Sequence, residues 1–242
     1  MAARGIIVCL VIWIVAVGSV ISNLSAANKP KLKWGQQITL CKANQHKIGQ
    51  AYIAFAKDHD GQFPVVSGPA AVGGQIGDGQ GDKRPLPNLV AQLYGAKVPV
   101  KERPLNKYVD HVNCFHCPAD QGGGVYKVSS CWKSFGNSYQ AQVGDDFLRV
   151  RHVVGLSTEP EGKDEAKPIT LKEIAKSPKN KIIQGCWNWP YDGDDAWHGV
   201  WGMGQHVMLF GDGHADLHLF PRTATMQKWF IKPVPNPKFR WW

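Results

Sequence analysis

The feature that most constrains this chain is an uninterrupted run of apolar or small residues at positions 6–21, which follows a single basic residue, Arg4. A basic residue ahead of an apolar run is typical of an export signal or a membrane anchor. Extended to Leu24, the run is just long enough to span a bilayer as a helix, whereas cleavage after Ala27 would release a soluble protein. We therefore expect residues 1–27 to be a membrane anchor or export signal.

Charge and composition bear on the class of partner. The 242 residues contain 28 Lys and Arg against 19 Asp and Glu, a formal net charge of +9, and 43% hydrophobic residues, so an ordinary packed core is expected. The positive charge is spread in short groups, and the sequence contains no nucleic-acid-binding module. We predict no nucleic-acid partner.

Residues 28–64 are predicted to form an amphipathic helix. The helix should end near Asp58 or His59, because Gly61 suits the left-handed position after a helix and Pro64 cannot continue it. Steps of three and four place five side chains on one face: Cys41, Asn44, Ile48, Tyr52 and Phe55.

The remaining residues, 65–242, are predicted to form an α+β globular domain with long loops. Residues 65–82 are rich in glycine and small side chains, which favours a long surface loop. Thr170 and Glu173 have the spacing of a capping box and predict a short helix. Residues 206–220 predict a β-hairpin that places His214, Asp216 and His218 on one face. These side chains are most simply the polar side of the hairpin, and they would be a metal-hydrolase cluster if they faced a pocket.

The cysteines are candidates for disulfides, because an exported protein matures in an oxidising compartment. Cys9 lies inside the apolar run, and five others remain: Cys41, Cys114, Cys117, Cys131 and Cys186. Since five is an odd number, one thiol stays free, pairs between molecules or binds something.

Two segments have residues that bind metals in other proteins. The stretch "HVNCFHCP" brings together His111, Cys114, His116 and Cys117, which can seed a zinc site, although disulfide use is favoured because no second Cys-x-x-Cys is present. Asp192, Asp194 and Asp195 offer oxygen ligands of the kind that Ca²⁺ takes, and a solvated turn is the simpler interpretation. Neither Zn²⁺ nor Ca²⁺ is expected as a required cofactor.

Aromatic side chains are crowded into one glycine-containing stretch: Trp187, Trp189, Tyr191, Trp197 and Trp201. Exposed, they would form a binding surface for a glycan or polymer. Buried, they would pack a long loop onto the sheet, which is the more common use of such residues.

Three stretches together resemble a known family. "CKANQHKIGQAYIAFAKDHDGQFP" at 41–64, "FHCPAD" at 115–120 and "HVMLFGDGHAD" at 206–216 are similar to prepilin-like proteins with a processing-associated H-X9-DG domain, which are relatives of type II secretion pseudopilins. The resemblance implies a pilin-like fold, in which a long N-terminal helix packs on an antiparallel β-sheet. It also implies a disulfide between Cys41 and Cys117.

The motif residues of this family can be assigned by position. Asp212, Gly213 and His214 match directly, and His198 is the candidate for the histidine, with thirteen residues (199–211) between it and Asp212. Leu10 stands where prepilins have a glutamate.

The sequence and the resemblance together predict a non-enzymatic, membrane-anchored, exported protein, an accessory subunit of a type II secretion or type IV pilus-like machine. Its partners would be the membrane, through the N-terminal helix, and pilin-like subunits or secretion machinery. The alternative is a secreted soluble binding protein that uses the tryptophan-rich loop. No nucleophile-and-base motif or phosphate loop indicates an enzyme.

Overall fold

The computed structural model describes residues 32–81, 85–123, 127–187, 189–190, 197–199, 205–220 and 234–242. The chain divides into two units, Met1–Lys33 and Trp34–Trp242, and the account below concerns the second. The predicted anchor or signal at 1–27 lies outside the described residues. Among the helices of the described ranges, none has both the length and the apolar character needed to cross a membrane.

Helix α1, Trp34–Asp58, is the longest element of the described chain. Its end agrees with the prediction, since Gly61 has a φ of 78° and its amide donates to the carbonyl of Ala56 at 2.7 Å. The buried face differs from the predicted one at two positions, since Asn44 and Phe55 are half-buried while Gln45 and Ala56 beside them are buried. The buried side consists of Cys41, Gln45, Ile48, Gly49, Ala51, Tyr52 and Ala56.

The described strands form a four-stranded sheet and a separate two-stranded pair. The sheet is antiparallel throughout, in the order β2-β4-β5-β6, with β2 at Tyr139–Ala141, β4 at Ile182–Cys186, β5 at Gln205–Phe210 and β6 at Ala215–Leu219. The pair is parallel and joins β1 at Val65–Val66 to β3 at Gly155–Leu156. The domain is therefore α+β, as predicted.

Helix α1 packs on one face of the larger sheet. The Gln45 side-chain amide donates to the backbone carbonyl of Val207 in β5 at 2.6 Å, and Ile48 and Leu209 are fully buried in the same core. Alternate residues of β5 contribute to a second core, in which Met208 packs with the aromatic side chains of Phe210, Phe220 and Trp241. Both faces of this strand are thus covered, in agreement with its continuous apolar sequence.

Three short α-helices lie outside α1 in the described chain: α2 at Asn88–Leu93, α3 at Cys131–Phe135 and α4 at Leu171–Ile174. The capping box of α4 is confirmed. The Glu173 amide donates to the Thr170 hydroxyl at 3.2 Å, and the Thr170 amide donates to the Glu173 carboxylate at 2.9 Å.

The prediction of a surface loop at 65–82 is wrong for much of its length. A short 3₁₀ helix, Pro69–Val72, is buried, and the buried guanidinium of Arg103 donates to the carbonyls of Ala70 and Gly73. A Cβ added to Gly73 would lie 2.1 Å from the ring of Phe115. The small residues here permit close packing in the interior, whereas the sequence analysis interpreted them as a sign of an exposed loop.

Candidate metal centre

Four side chains from different parts of the chain converge on one buried point. Cys41 lies in the second turn of α1, and Cys117 follows the 3₁₀ helix Val112–Phe115. Cys186 is the last residue of β4, and His198 belongs to the described segment 197–199. We call these four residues the Cys3His cluster.

The polar atoms of the cluster are close together and shielded from solvent. All four possible ligand atoms lie within 4.8 Å of one another. Cys41 Sγ is 3.5 Å from Cys186 Sγ, and Cys117 Sγ is 3.1 Å from His198 Nε2. The exposed fraction of each residue is at most 2%.

Neighbouring elements hold these side chains in position. Cys41 points toward the sheet because it lies on the buried face of α1, and Cys186 is fixed by its pairing with Tyr139 in β2. The Tyr139 hydroxyl donates to Cys41 Sγ at 3.6 Å, and the indole of Trp34 donates to the carbonyl of His198 at 3.1 Å. The Nδ1 atom of His198 is buried and has no hydrogen-bond partner among the residues that the structure describes.

The three thiols differ in acidity. Burial raises the pKa of Cys41, but hydrogen bonds from Cys117, Cys186 and His198 outweigh it, so the pKa of Cys41 lies well below its ordinary value. Burial raises the pKa of both Cys117 and Cys186 well above the ordinary value. Cys41 is therefore the first thiol of the cluster to ionise.

The structure contains no disulfide among the described cysteines, which include all five disulfide candidates. Cys41 and Cys117, the pair implied by the family resemblance, do meet in the cluster, together with Cys186. Cys114 and Cys131 are buried outside it, and burial raises the pKa of Cys114 to about 11.

The zinc site considered from "HVNCFHCP" is wrong in its composition. Of its four residues only Cys117 joins the cluster, and its partners come from distant parts of the sequence. His111 is exposed, and His116 stacks on Trp132 with ring centroids 5.2 Å apart. The fold therefore brings only one residue of this motif to the cluster.

Three of the five predicted binding-surface aromatics are buried, so they do not present a platform to solvent. The exposed fractions of Trp187, Trp189 and Trp197 are 3%, 7% and 6%. Trp187 stacks on Phe135 with ring centroids 4.6 Å apart, and Trp197 donates its indole N–H to the carbonyl of Gly122 at 2.8 Å. Packing, the alternative considered for these residues, agrees with their positions.

The remaining candidates of that stretch lie outside the described residues. They are Tyr191 and Trp201 of the aromatic set, and the calcium candidates Asp192, Asp194 and Asp195.

The family-motif residues Asp212, Gly213 and His214 form the turn between β5 and β6. Gly213 has a φ of 86°, a conformation that favours glycine, and its amide donates to the carbonyl of Phe210 at 2.9 Å. The Asp212 carboxylate accepts from the backbone amide of His214 at 3.2 Å. The motif thus closes a hairpin, while His198 contributes to the Cys3His cluster.

The three polar residues of the hairpin, His214, Asp216 and His218, contact different neighbours. His214 pairs with Asp212 and stacks on Phe210, and Asp216 forms an ion pair with Lys42 of α1. His218 packs edge-on against Phe210, Phe220 and Trp241, and burial lowers its pKa to about 4. These contacts stabilise the hairpin, and the three side chains have different neighbours.

Comparison of the chain with protein-family models, with curated proteins and with solved structures finds no match.

The Cys3His cluster as a set was not predicted from the sequence. Its members are too far apart to form a local motif, and the signal that pointed toward them was the odd number of cysteines outside the apolar run.

Proposed function

We propose that this chain is a non-enzymatic, membrane-anchored, exported protein of pilin-like architecture, an accessory subunit of a type II secretion or type IV pilus-like machine. The observation that carries the proposal is the packing of α1 on an antiparallel sheet. A 25-residue helix begins shortly after an apolar segment and covers strand β5 through Gln45 and Ile48.

The surface of α1 is consistent with a role in assembly. Near its beginning, Trp34 and Leu40 are 54% and 45% exposed, although both are large apolar side chains. In this proposal they contact the membrane surface or a neighbouring pilin-like subunit, because exposed apolar groups are stabilised by such contacts.

A non-enzymatic role is supported by the hairpin residues. Two of the side chains that could form a hydrolytic cluster have charged partners, since His214 pairs with Asp212 and Asp216 pairs with Lys42. His218 packs among aromatic rings instead, and its Nε2 atom is buried without a hydrogen-bond partner among the described residues. The secreted-binder alternative relies on the tryptophan-rich loop, of which Trp187, Trp189 and Trp197 are buried.

The test is the mature amino terminus and the membrane partition of the full chain, expressed in a host with pilin-type export machinery. An amino terminus at Ile6 with membrane retention indicates prepilin processing, and an intact membrane-bound chain indicates an anchored accessory protein. The control is a chain in which residues 1–27 are replaced by a cleavable signal peptide, which should be soluble. A native chain that begins at Asn28 in the soluble fraction would overturn the proposal.

A further inference from the structure

The Cys3His cluster has the dimensions of a four-coordinate metal site. Zinc binds thiolate sulfur at about 2.3 Å and imidazole nitrogen at about 2.0–2.1 Å in a tetrahedron, which separates neighbouring ligand atoms by about 3.5–3.8 Å. The separations of 3.5 Å for Cys41–Cys186 and 3.1 Å for Cys117–His198 are close to these values. An ion at the centre therefore requires shifts of only a few tenths of an ångström in these two pairs.

A metal ion accounts for all four side chains, whereas a disulfide accounts for two. A disulfide between Cys41 and Cys186 would leave the Cys117 thiol and the His198 imidazole buried beside it. His198 is 1% exposed, and its Nε2 atom faces the thiols at 3.1 Å from Cys117 Sγ, so the ring presents a nitrogen to the centre of the cluster where a metal would lie.

The types of ligand determine the metal. Three thiols and one imidazole suit zinc, which accepts sulfur and nitrogen in a tetrahedron, and they do not suit Ca²⁺ or Mg²⁺, which take oxygen. Four protein ligands leave no open coordination position, which is the property of a structural site.

We propose that Cys41, Cys117, Cys186 and His198 bind one structural Zn²⁺ ion. The thiols bind as thiolates, so each coordinating cysteine releases its proton to solvent as the metal enters. The Tyr139 hydroxyl, 3.6 Å from Cys41 Sγ, donates a hydrogen bond that partly offsets the negative charge of the thiolates.

The position of the site gives the ion a clear structural role. It joins the first part of α1 to the end of β4, to the segment after Phe115 and to the segment at 197–199. Because these ligands come together only in the folded chain, zinc binding adds to the stability of the domain. The site does not depend on the proposed function, since a soluble secreted domain would hold the same four residues.

The first experiment measures zinc and thiols in the full chain, purified in mild detergent without chelator or reductant. We expect about one zinc per chain by elemental analysis. Alkylation under native conditions, followed by intact mass, should spare the three cluster cysteines until the metal is removed by a strong chelator. Chelation should also lower the midpoint of thermal unfolding, and added zinc should restore it.

Variants locate the metal. Cys186→Ser and His198→Asn should each lose most of the bound zinc, whereas Cys114→Ser, which changes a buried cysteine outside the cluster, should retain it. If a cluster variant fails to fold, Co²⁺ substitution of the native chain tests whether thiolates bind the metal. Tetrahedral cobalt with thiolate ligands gives intense visible and charge-transfer absorption.

Two results would overturn the proposal. One is a zinc-free chain in which Cys41 is joined to Cys117 or Cys186 by a disulfide, seen as two cysteines that alkylate only after reduction. The other is a reduced chain that binds neither Zn²⁺ nor Co²⁺. Neither result bears on membrane anchoring, so the two proposals fail independently.

Discussion

A glycine of α1, Gly49, lies against β5, and replacing it tests the packing of α1 on the sheet. A Cβ added at Gly49 would lie 2.9 Å from Cδ1 and 3.5 Å from Cδ2 of Leu209 in β5. Leu209 is fully buried, so its side chain has little room to move away. Gly49→Ala should therefore force α1 and β5 apart or push Leu209 out of its preferred rotamer.

The magnitude follows from two opposing effects. Alanine stabilises a helix interior by about 1 kcal/mol relative to glycine. Overpacking a core costs about 1–3 kcal/mol. The matched control is Gly35→Ala, also in α1, where an added Cβ meets no atom within 4 Å. We expect Gly35→Ala, in the first turn of α1, to be neutral or slightly stabilising. In Gly49→Ala the cost of overpacking exceeds the gain in helix propensity, so this variant should be less stable than the native chain by up to about 2 kcal/mol.

The assay is urea denaturation of the full chain in mild detergent, followed by tryptophan fluorescence. A double variant, Gly49→Ala with Leu209→Val, removes the crowded Cδ atoms and should recover part of the loss, with a coupling free energy of at least about 0.5 kcal/mol. If Gly49→Ala were as stable as Gly35→Ala, or if the two changes were additive, the close approach of α1 to β5 would be refuted.

Two further predictions concern polar groups in the domain. Arg103→Met removes a buried guanidinium that donates to several backbone carbonyls, and we expect a loss of about 3 kcal/mol or more in the free energy of unfolding, whereas exposed Lys101→Met should change it by less than about 0.5 kcal/mol. Burial raises the pKa of the Asp146 carboxyl, but hydrogen bonds from His152 outweigh this effect and the net pKa is lowered. The carboxylate therefore stabilises the fold above its unfolded pKa of about 3.9 and loses this contribution as the pH falls through the lower folded value. Asp146→Asn should be less stable than the parent at pH 7, and denaturation curves at decreasing pH should converge; a constant difference would contradict the assignment.

Features set by neighbouring residues could be predicted from the sequence. The end of α1 follows from Gly61, the start of α4 from the Thr170–Glu173 capping box, and the β5–β6 hairpin from the glycines around Asp212. In each case the deciding contact lies within a few residues, so the local pattern contains the information.

Features set by distant contacts could not be predicted. The segment that contains Gly73 is interior because Phe115 and Arg103 pack against it, and its composition alone resembles a surface loop. Likewise, Cys186 and His198 lie beside Cys41 only in the folded chain, in which β4 pairs with β5 in the sheet that α1 covers. The local sequence around each residue contains no pattern that links such distant positions.

The most direct test of the metal centre is X-ray absorption at the zinc edge, measured on the full chain loaded with one equivalent of Zn²⁺. The account predicts a four-coordinate ion with three sulfur ligands at about 2.3 Å and one nitrogen ligand at about 2.0–2.1 Å. A spectrum of zinc bound by oxygen and nitrogen alone, or a chain from which zinc is removed by simple desalting, would contradict it.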